Sequence, residues 1–164
     1  MINYQFEKIT EDHIDAIREI YMYYIKNSTA TFHKKEITRQ EMADLVLFEN
    51  TKYESYIIKL KEDICGYVIL TQYKVREAFD QTAEVTIYLK NGYEGKGIGK
   101  RALTFIEERA RTKELHTLIA LICGENKGSI ALFEKCGYVK CAHYREVGNK
   151  FNRWLDLLSY QKIL

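Results

Sequence analysis

The stretch TAEVTIYLKNGYEGKGIGKR, Thr82 to Arg101, decides the fold. Its first eight residues are rich in β-branched and aromatic side chains and predict a strand from Thr82 to Leu89. Alternation puts Thr82, Glu84, Thr86 and Tyr88 on one face and Ala83, Val85, Ile87 and Leu89 on the other. A glycine-rich turn, Gly92 to Gly99, leads straight into an amphipathic helix with Ile98, Ala102, Phe105, Ile106 and Ala110 inward. Such a turn points successive N–H groups outward at the positive end of a helix, which suits a phosphate. Lys96, Lys100 and Arg101 add positive charge around it.

Three phosphate-binding loops compete for the run Glu94 to Arg101. A Walker A loop needs glycine where Glu94 stands and Ser or Thr where Arg101 stands, so it fails. A dinucleotide fingerprint starting at Gly95 and Gly97 needs glycine at the position of Lys100, and fails too. The pyrophosphate loop of acetyl-CoA enzymes, a Gln/Arg-x-x-Gly-x-Gly/Ala run after a strand, fits Gly97 and Gly99, with Glu94 as a departure at its first position. A connection that binds nothing is the plain alternative.

Outward from this centre, Ile2 to Ile9 predicts a strand. Thr10, followed by Glu11 and Asp12, opens a helix carrying Ile14, Ile17, Tyr21, Tyr24 and Ile25 at helical spacing to about Asn27. Thr38 and Glu41 form a capping box for a second helix through Met42, Leu45 and Leu47-Phe48. Ser55 to Lys61 and Ile64 to Tyr73 read as a hairpin. His116 to Cys123 is a nearly continuous apolar run, expected of a central strand covered on both faces. A helix from Lys127 to Cys136 stops at Gly137, and strands Tyr138 to Glu146 and Arg153 to Tyr160 follow. The order β-α-α-β-β-β-α-β-α-β-β predicts one mixed sheet and a single domain over residues 1–164.

At 164 residues such a domain needs no metal or disulfide to hold it together. The formal charge of +2 gives no reason to expect nucleic acid or membrane as a partner. Cys65, Cys123, Cys136 and Cys141 form no C-x-x-C pair, and three lie in apolar runs, which predicts reduced and mostly buried thiols. His13, His33, His116 and His143 show no ligand spacing, so no metal is expected. Without a secretory signal at Met1–Tyr4 or an apolar run long enough to span a bilayer, the expected location is the cytoplasm.

Several unusual pieces occur together: Thr31-Phe32, then Arg76-x-Ala78-Phe79-x-x-Thr82-x-Glu84 leading into Ile87-Tyr88, then the glycine loop, then Asn126-x-x-Ser129-Ile130-x-Leu132. The last and most distinctive is Val147-Gly148-x-Lys150-Phe151-x-Arg153-Trp154-x-Asp156. With these the chain resembles the GNAT superfamily, and within it the phosphinothricin N-acetyltransferase branch, over nearly its whole length. The resemblance implies an α/β GNAT fold whose mixed sheet splays between its fourth and fifth strands, with helices on both faces. Acetyl-CoA, as co-substrate, would enter that gap. It would touch Ile87 and Leu89, the loop residues Gly95, Lys96, Gly97, Ile98, Gly99 and Lys100, and Asn126 and Ser129. The acceptor, a small molecule with a primary amine, would meet Phe32, Arg76, Phe79 and Tyr88. Relatives are often homodimers, which is the expectation here.

Acetyl transfer to an amine needs a base for the ammonium, a donor for the charge developing on the thioester oxygen, and benefits from a proton for the leaving thiolate. Glu84 is the candidate base, since a carboxylate inside a strand is costly unless paired and has its pKa raised by burial. The plain alternative is a Glu84 paired with arginine or facing solvent. Arg76 suits a carboxylate or phosphinate on the acceptor, against an ion pair with Glu77 or Asp80. Phe133 stands seven residues after Asn126, where the family offers a tyrosine or histidine, and can donate nothing. Trp154 is expected to pack, and Arg153 with Asp156 to form a structural pair. Peptide acetylation and a non-catalytic acyl-CoA-binding module are the competing functions.

Overall fold

The computed structural model describes residues 3–164; Met1 and Ile2 lie outside them, so the first strand is seen only from Tyr4. Among the described residues seven strands form one sheet: β1 (Tyr4–Lys8), β2 (Glu54–Leu60), β3 (Asp63–Gln72), β4 (Thr82–Leu89), β5 (Thr117–Cys123), β6 (Val139–Lys150) and β7 (Arg153–Ile163). Their order across the sheet is β1-β2-β3-β4-β5-β7-β6. Every neighbouring pair is antiparallel except β4 with β5.

That parallel pair is short. Thr82, Ala83 and Glu84 face Thr117, Leu118 and Ile119, and there the register ends. From Val85 to Leu89 on one side and from Ala120 to Cys123 on the other, the strands diverge. β4 stays bonded to β3 along its whole length and β5 to β7, so each arm of the splay keeps one partner.

Helices cover both faces. α1 (Ile14–Asn27) and α2 (Arg39–Val46) lie on one, packing Ile17, Ile20, Tyr21 and Met42 against Ile57, Tyr67 and Ile69. α3 (Ile98–Thr112) and α4 (Lys127–Lys135) lie on the other, packing Ile98, Ala102, Leu103, Ile106 and Phe133 against Ile58, Val68, Leu70 and Val85. Ile57 and Ile58 are neighbours in sequence with no exposed surface, one in each layer. Burying a side chain of this size contributes about 1.5–3 kcal/mol.

The helix boundaries follow their caps. At α2 the Thr38 side chain accepts from the Glu41 N–H at 3.1 Å, and Glu41 accepts from the Thr38 N–H at 2.6 Å. Leu47 and Phe48 fall outside this helix, because Leu47 is already extended. The first helix opens with a 3₁₀ turn, Glu11–His13, before its α-helical part. Asn126 caps α4 by accepting from the Ser129 N–H at 3.1 Å, and Gly137 follows it at φ 86°.

The last hairpin is longer than the sequence predicts. β6 runs on to Lys150 through two irregular steps in its pairing with β7, and Phe151 and Asn152 turn the chain with φ values of 53° and 59°. Two consecutive left-handed residues match the right-handed twist of a hairpin, a turn usually written with Asn-Gly, so its signal in this sequence is weak.

Buried on β2, Glu54 takes two hydrogen bonds from Arg109 at 2.9 and 2.8 Å, with Lys113 3.0 Å away and Tyr56 donating at 2.9 Å. Burial pushes its pKa up, and these partners outweigh that and bring it down to about 2.

Candidate active site

Where β4 and β5 part, a cleft of about 620 Å³ opens at the carboxyl ends of both strands. An α/β sheet binds ligands at such a point, because two strand ends with unspent backbone groups face one space. The Lys90 N–H bonds the Cys65 carbonyl at 2.9 Å. By alternation Ile87 and Leu89 then direct their own backbone groups away from β3 and into the gap. These two line the cleft with Val85, Thr86 and Tyr88, facing Ala120, Leu121 and Ile122.

Gly95, Gly97, Ile98, Gly99 and Lys100 form one end of the cleft, and Asn126 and Ser129 another part of its wall. The glycines serve different ends. Gly95 and Gly97 have φ values of 74° and 76°, which L side chains adopt at a cost, and a Cβ on either would meet nothing within 4 Å. The space beside the loop at these two positions is open. Gly99 is helical, and a Cβ there would lie 2.6 Å from Leu132 Cδ2, so it is glycine to let α3 approach α4. Lys96 lies outside the cleft lining, with its ammonium 4.8 Å from the centre of the Tyr93 ring.

Glu94, the departure in the loop, has a local task. One carboxylate oxygen accepts from the Gly92 N–H at 2.8 Å and the other lies 3.4 Å from the Tyr24 hydroxyl. Tyr24 also donates to the Leu89 carbonyl at 2.5 Å and lines the cleft. From the sequence, Tyr24 is only one step in the inward stripe of α1. Ser28, Ala30, Leu121 and Lys135 are further lining residues that it left unmarked.

Glu84 stands at the apex of the splay, in the last register pair of β4 with β5. Its side chain is half-buried and makes no hydrogen bond or ion pair among the described residues. Burial raises its pKa above the usual carboxylate value. Tyr88 faces the same side, donates to the Ala30 carbonyl at 3.3 Å and has its pKa pushed up by burial. Phe133 is buried in the cleft wall, edge-on to Tyr138 at 4.9 Å, and offers no proton.

The expected acceptor residues are dispersed. Arg76 is exposed just before a 3₁₀ turn, Glu77–Phe79, and pairs with neither Glu77 nor Asp80. Phe79 leans edge-on against Tyr73 at 6.0 Å. Phe32 lies against Gly148, where a Cβ would come within 2.7 Å of its ring. None of the three, nor Glu84, lines the cleft itself.

The distinctive C-terminal run differs from expectation in two respects. Arg153 pairs with Glu125, at 3.0 and 2.8 Å, and not with Asp156. Asp156 instead meets His143 at 2.7 Å and accepts from the Glu146 N–H at 2.9 Å. Side chains three apart on a strand point to opposite faces, which forbids the expected pair. Trp154 is 63 % exposed and does not pack. The cysteines also divide more evenly than expected: Cys65 and Cys123 are buried, Cys136 partly so, and Cys141 exposed, all as free thiols. Among the described residues no cluster of His, Cys, Asp or Glu is placed to hold a metal, and no helix is long and apolar enough to cross a membrane.

Comparison with known proteins bears on this geometry. The profile of the acetyltransferase (GNAT) family matches residues 16–138. An L-methionine sulfoximine/L-methionine sulfone acetyltransferase of Pseudomonas aeruginosa is 30% identical over 152 residues, covering 90% of this chain and 87% of that protein. The crystal structure of a GNAT superfamily phosphinothricin acetyltransferase from Sinorhizobium meliloti, in complex with AcCoA, superposes with a TM-score of 0.93 at 27% identity, covering 100% of this chain and 89% of the other. A ribosomal-protein-alanine N-acetyltransferase from Brucella melitensis superposes with a TM-score of 0.90 at 30% identity, covering 98% and 99%.

Proposed function

The chain belongs to the GNAT family of N-acetyltransferases, and on that premise we propose that it acetylates the primary amine of a small amino-acid-like acceptor of the phosphinothricin, methionine sulfoximine or methionine sulfone type. The observation that carries the reading is the splay itself. A cleft with left-handed glycines at one end opens just beyond an unpaired, half-buried carboxylate, Glu84, in the last register pair of the two strands.

Acetyl-CoA lies in the cleft with its pyrophosphate over the amides of Gly95–Gly99 near Lys100, and its pantetheine arm along the gap-facing backbone of Ile87 and Leu89. Asn126 and Ser129 flank that arm. Glu84, directly or through a water, takes a proton from the acceptor ammonium. The freed nitrogen attacks the thioester carbon, forming the C–N bond; the nitrogen then gives its second proton to solvent as the C–S bond breaks and releases CoA thiolate. A gap-facing N–H of β4 supports the oxyanion between these events. Solvent returns the thiolate proton, since Phe133 has none to give.

Arg76, with Phe79, Phe32 and Tyr88, binds the acceptor, its guanidinium gripping the acidic group next to the amine. The active species is a homodimer in the cytoplasm. Exposed Tyr144, Val147, Phe151 and Trp154 on the last hairpin support a partner surface, and four free thiols suit a reducing compartment. One sheet joining all the described strands supports a single domain over 1–164.

The likeness to a ribosomal-protein-alanine N-acetyltransferase favours a second reading, a protein N-terminus as acceptor. Family membership sets aside a module without turnover. Acetyl-CoA is supplied with methionine sulfone, methionine sulfoximine, phosphinothricin or an alanine-led peptide, and released thiol is measured. Turnover is expected with the amino acids; turnover with the peptide alone would replace this reading by the second.

A further inference from the structure

The segment Ser28–His33, between α1 and α2, is bound to both arms of the splay. From the β4 arm the Tyr88 hydroxyl donates to the Ala30 carbonyl at 3.3 Å. From the other arm Lys150, 2 % exposed, donates to the Ser28 carbonyl at 2.6 Å and to the Thr31 carbonyl at 2.9 Å. Its ammonium also lies 3.4 Å from the Tyr24 carbonyl near the end of α1, where cations are favoured. The Thr29 hydroxyl donates at 3.0 Å to Glu125, whose carboxylate is held by both nitrogens of the Arg153 fork. Phe32 rests on Gly148. Tyr21 fixes the far end, its hydroxyl 2.6 Å from both Thr31 Oγ1 and His33 Nδ1.

These contacts give the C-terminal sequence run a task. Lys150, Arg153 and Gly148 stand at fixed spacing on one hairpin, and each meets the same short segment or its anchor. A buried ammonium with no carboxylate partner is costly, and burial lowers its pKa. Three carbonyls compensate it, and they are brought together only if residues 24–31 keep this path. Ser28 and Ala30 in turn line the cleft.

We propose that Lys150 and the Glu125–Arg153 pair are positioning residues that hold Ser28–Phe32 as a strap across the open side of the splay, and that this strap sets the upper size of the acceptor. It excludes amines that continue into a peptide chain and admits free amino acids. The size limit rests on the small-acceptor reading above; the anchoring of the strap does not.

Glu125→Ala tests this on an exposed residue, and Lys150→Met on the buried one. Each variant and the unaltered protein are assayed with methionine sulfone and with a dipeptide that begins with it. Acetyl-CoA affinity and hydrogen exchange of the peptide spanning 28–33 are measured in parallel. The expected result for Glu125→Ala is a rise of about tenfold in the dipeptide-to-amino-acid ratio of kcat/KM. Exchange over 28–33 should quicken while acetyl-CoA Kd stays put. Lys150→Met, if folded, should exceed it in both. An unchanged ratio with methionine sulfone turned over, or unchanged exchange in Glu125→Ala, overturns the proposal. An unaltered protein that ignores methionine sulfone sinks the acceptor reading instead, and the exchange comparison then decides the strap alone.

Discussion

Glu84 faces Ile119 in the last register pair that β4 makes with β5, and so its carboxylate sits where the sheet stops being continuous. A side chain there has strand on both flanks behind it and open gap ahead. It is half-buried and without an ion-pair partner among the described residues, and burial raises its pKa, as the proposed role of base for an ammonium requires.

Glu84→Gln is therefore expected to slow turnover by about 10²–10⁴-fold, the usual share of a general base. Because burial raises the Glu84 pKa, the rising limb of the kcat/KM profile should lie above the ordinary carboxylate range in the unaltered enzyme. The limb should vanish in the variant, and the deficit should shrink at high pH where free amine is abundant. Wild-type turnover at neutral pH in the variant would make Glu84 structural.

Gly97 and Gly99 should fail differently. A Cβ at 97 meets no neighbour, but valine there is forced into a left-handed backbone, at a cost of about 1–3 kcal/mol, and projects into the open space beside the loop. Acetyl-CoA Kd, read by calorimetry, should rise at least about tenfold. Alanine at 99 drives against Leu132, so its effect should appear first in the melting temperature. Unchanged affinity in folded Gly97→Val would remove the loop from the cofactor site.

Arg76→Ala should raise acceptor KM by about tenfold to a hundredfold with acetyl-CoA affinity intact. Since Arg76 is exposed and makes no ion pair among the described residues, its removal leaves no partner stranded in the fold. The comparison that decides is an amino acid against its decarboxylated amine. If both lose activity equally, Arg76 does not grip a carboxylate.

Glu54 bears on stability alone. Its folded pKa of about 2 lies below that of the unfolded chain, so its ion pairs stabilise fully above the ordinary carboxylate pKa. That contribution is lost as pH falls from there toward 2. Glu54→Gln should lower stability at neutral pH by about 1.5–3 kcal/mol, since Arg109 and Lys113 keep some solvent, and flatten the acid side of the profile. Urea titrations from neutral pH downward would show it; equal slopes for both proteins would remove Glu54 from the acid transition.

The fold was legible where local chemistry is strong. The capping box at Thr38, the left-handed Gly137 and the alternation of β4 each depend on residues within a few positions. The glycine turn was legible for the same reason, whereas the splay and Asn126 came only with the family resemblance. Tyr24 was not, because a tyrosine on an inward helical stripe carries no sign that its hydroxyl reaches another element. Lys150 was conspicuous by type, yet its carbonyl partners carry no side-chain signature at all. The partner of Arg153 was misjudged because proximity in sequence suggested Asp156, when strand alternation sends that carboxylate to the opposite face.

The ties between Lys150 and residues 24–31 span as many as 126 positions of the chain. β7, the last strand, lies inside the sheet, between β5 and β6. During synthesis α1 therefore emerges from the ribosome long before the hairpin that fixes its final carbonyls. A nascent chain stopped ahead of β7 has no inner strand on which to seat β6. β1 to β4 and α1 precede the hairpin, but Lys150 and Arg153, which tie down residues 28–31 directly or through Glu125, arrive only with it. On the proposal above, the segment 28–32 is thus anchored only after the hairpin has been made, and products stopped ahead of it are expected to leave that segment untethered even where much of the sheet has formed.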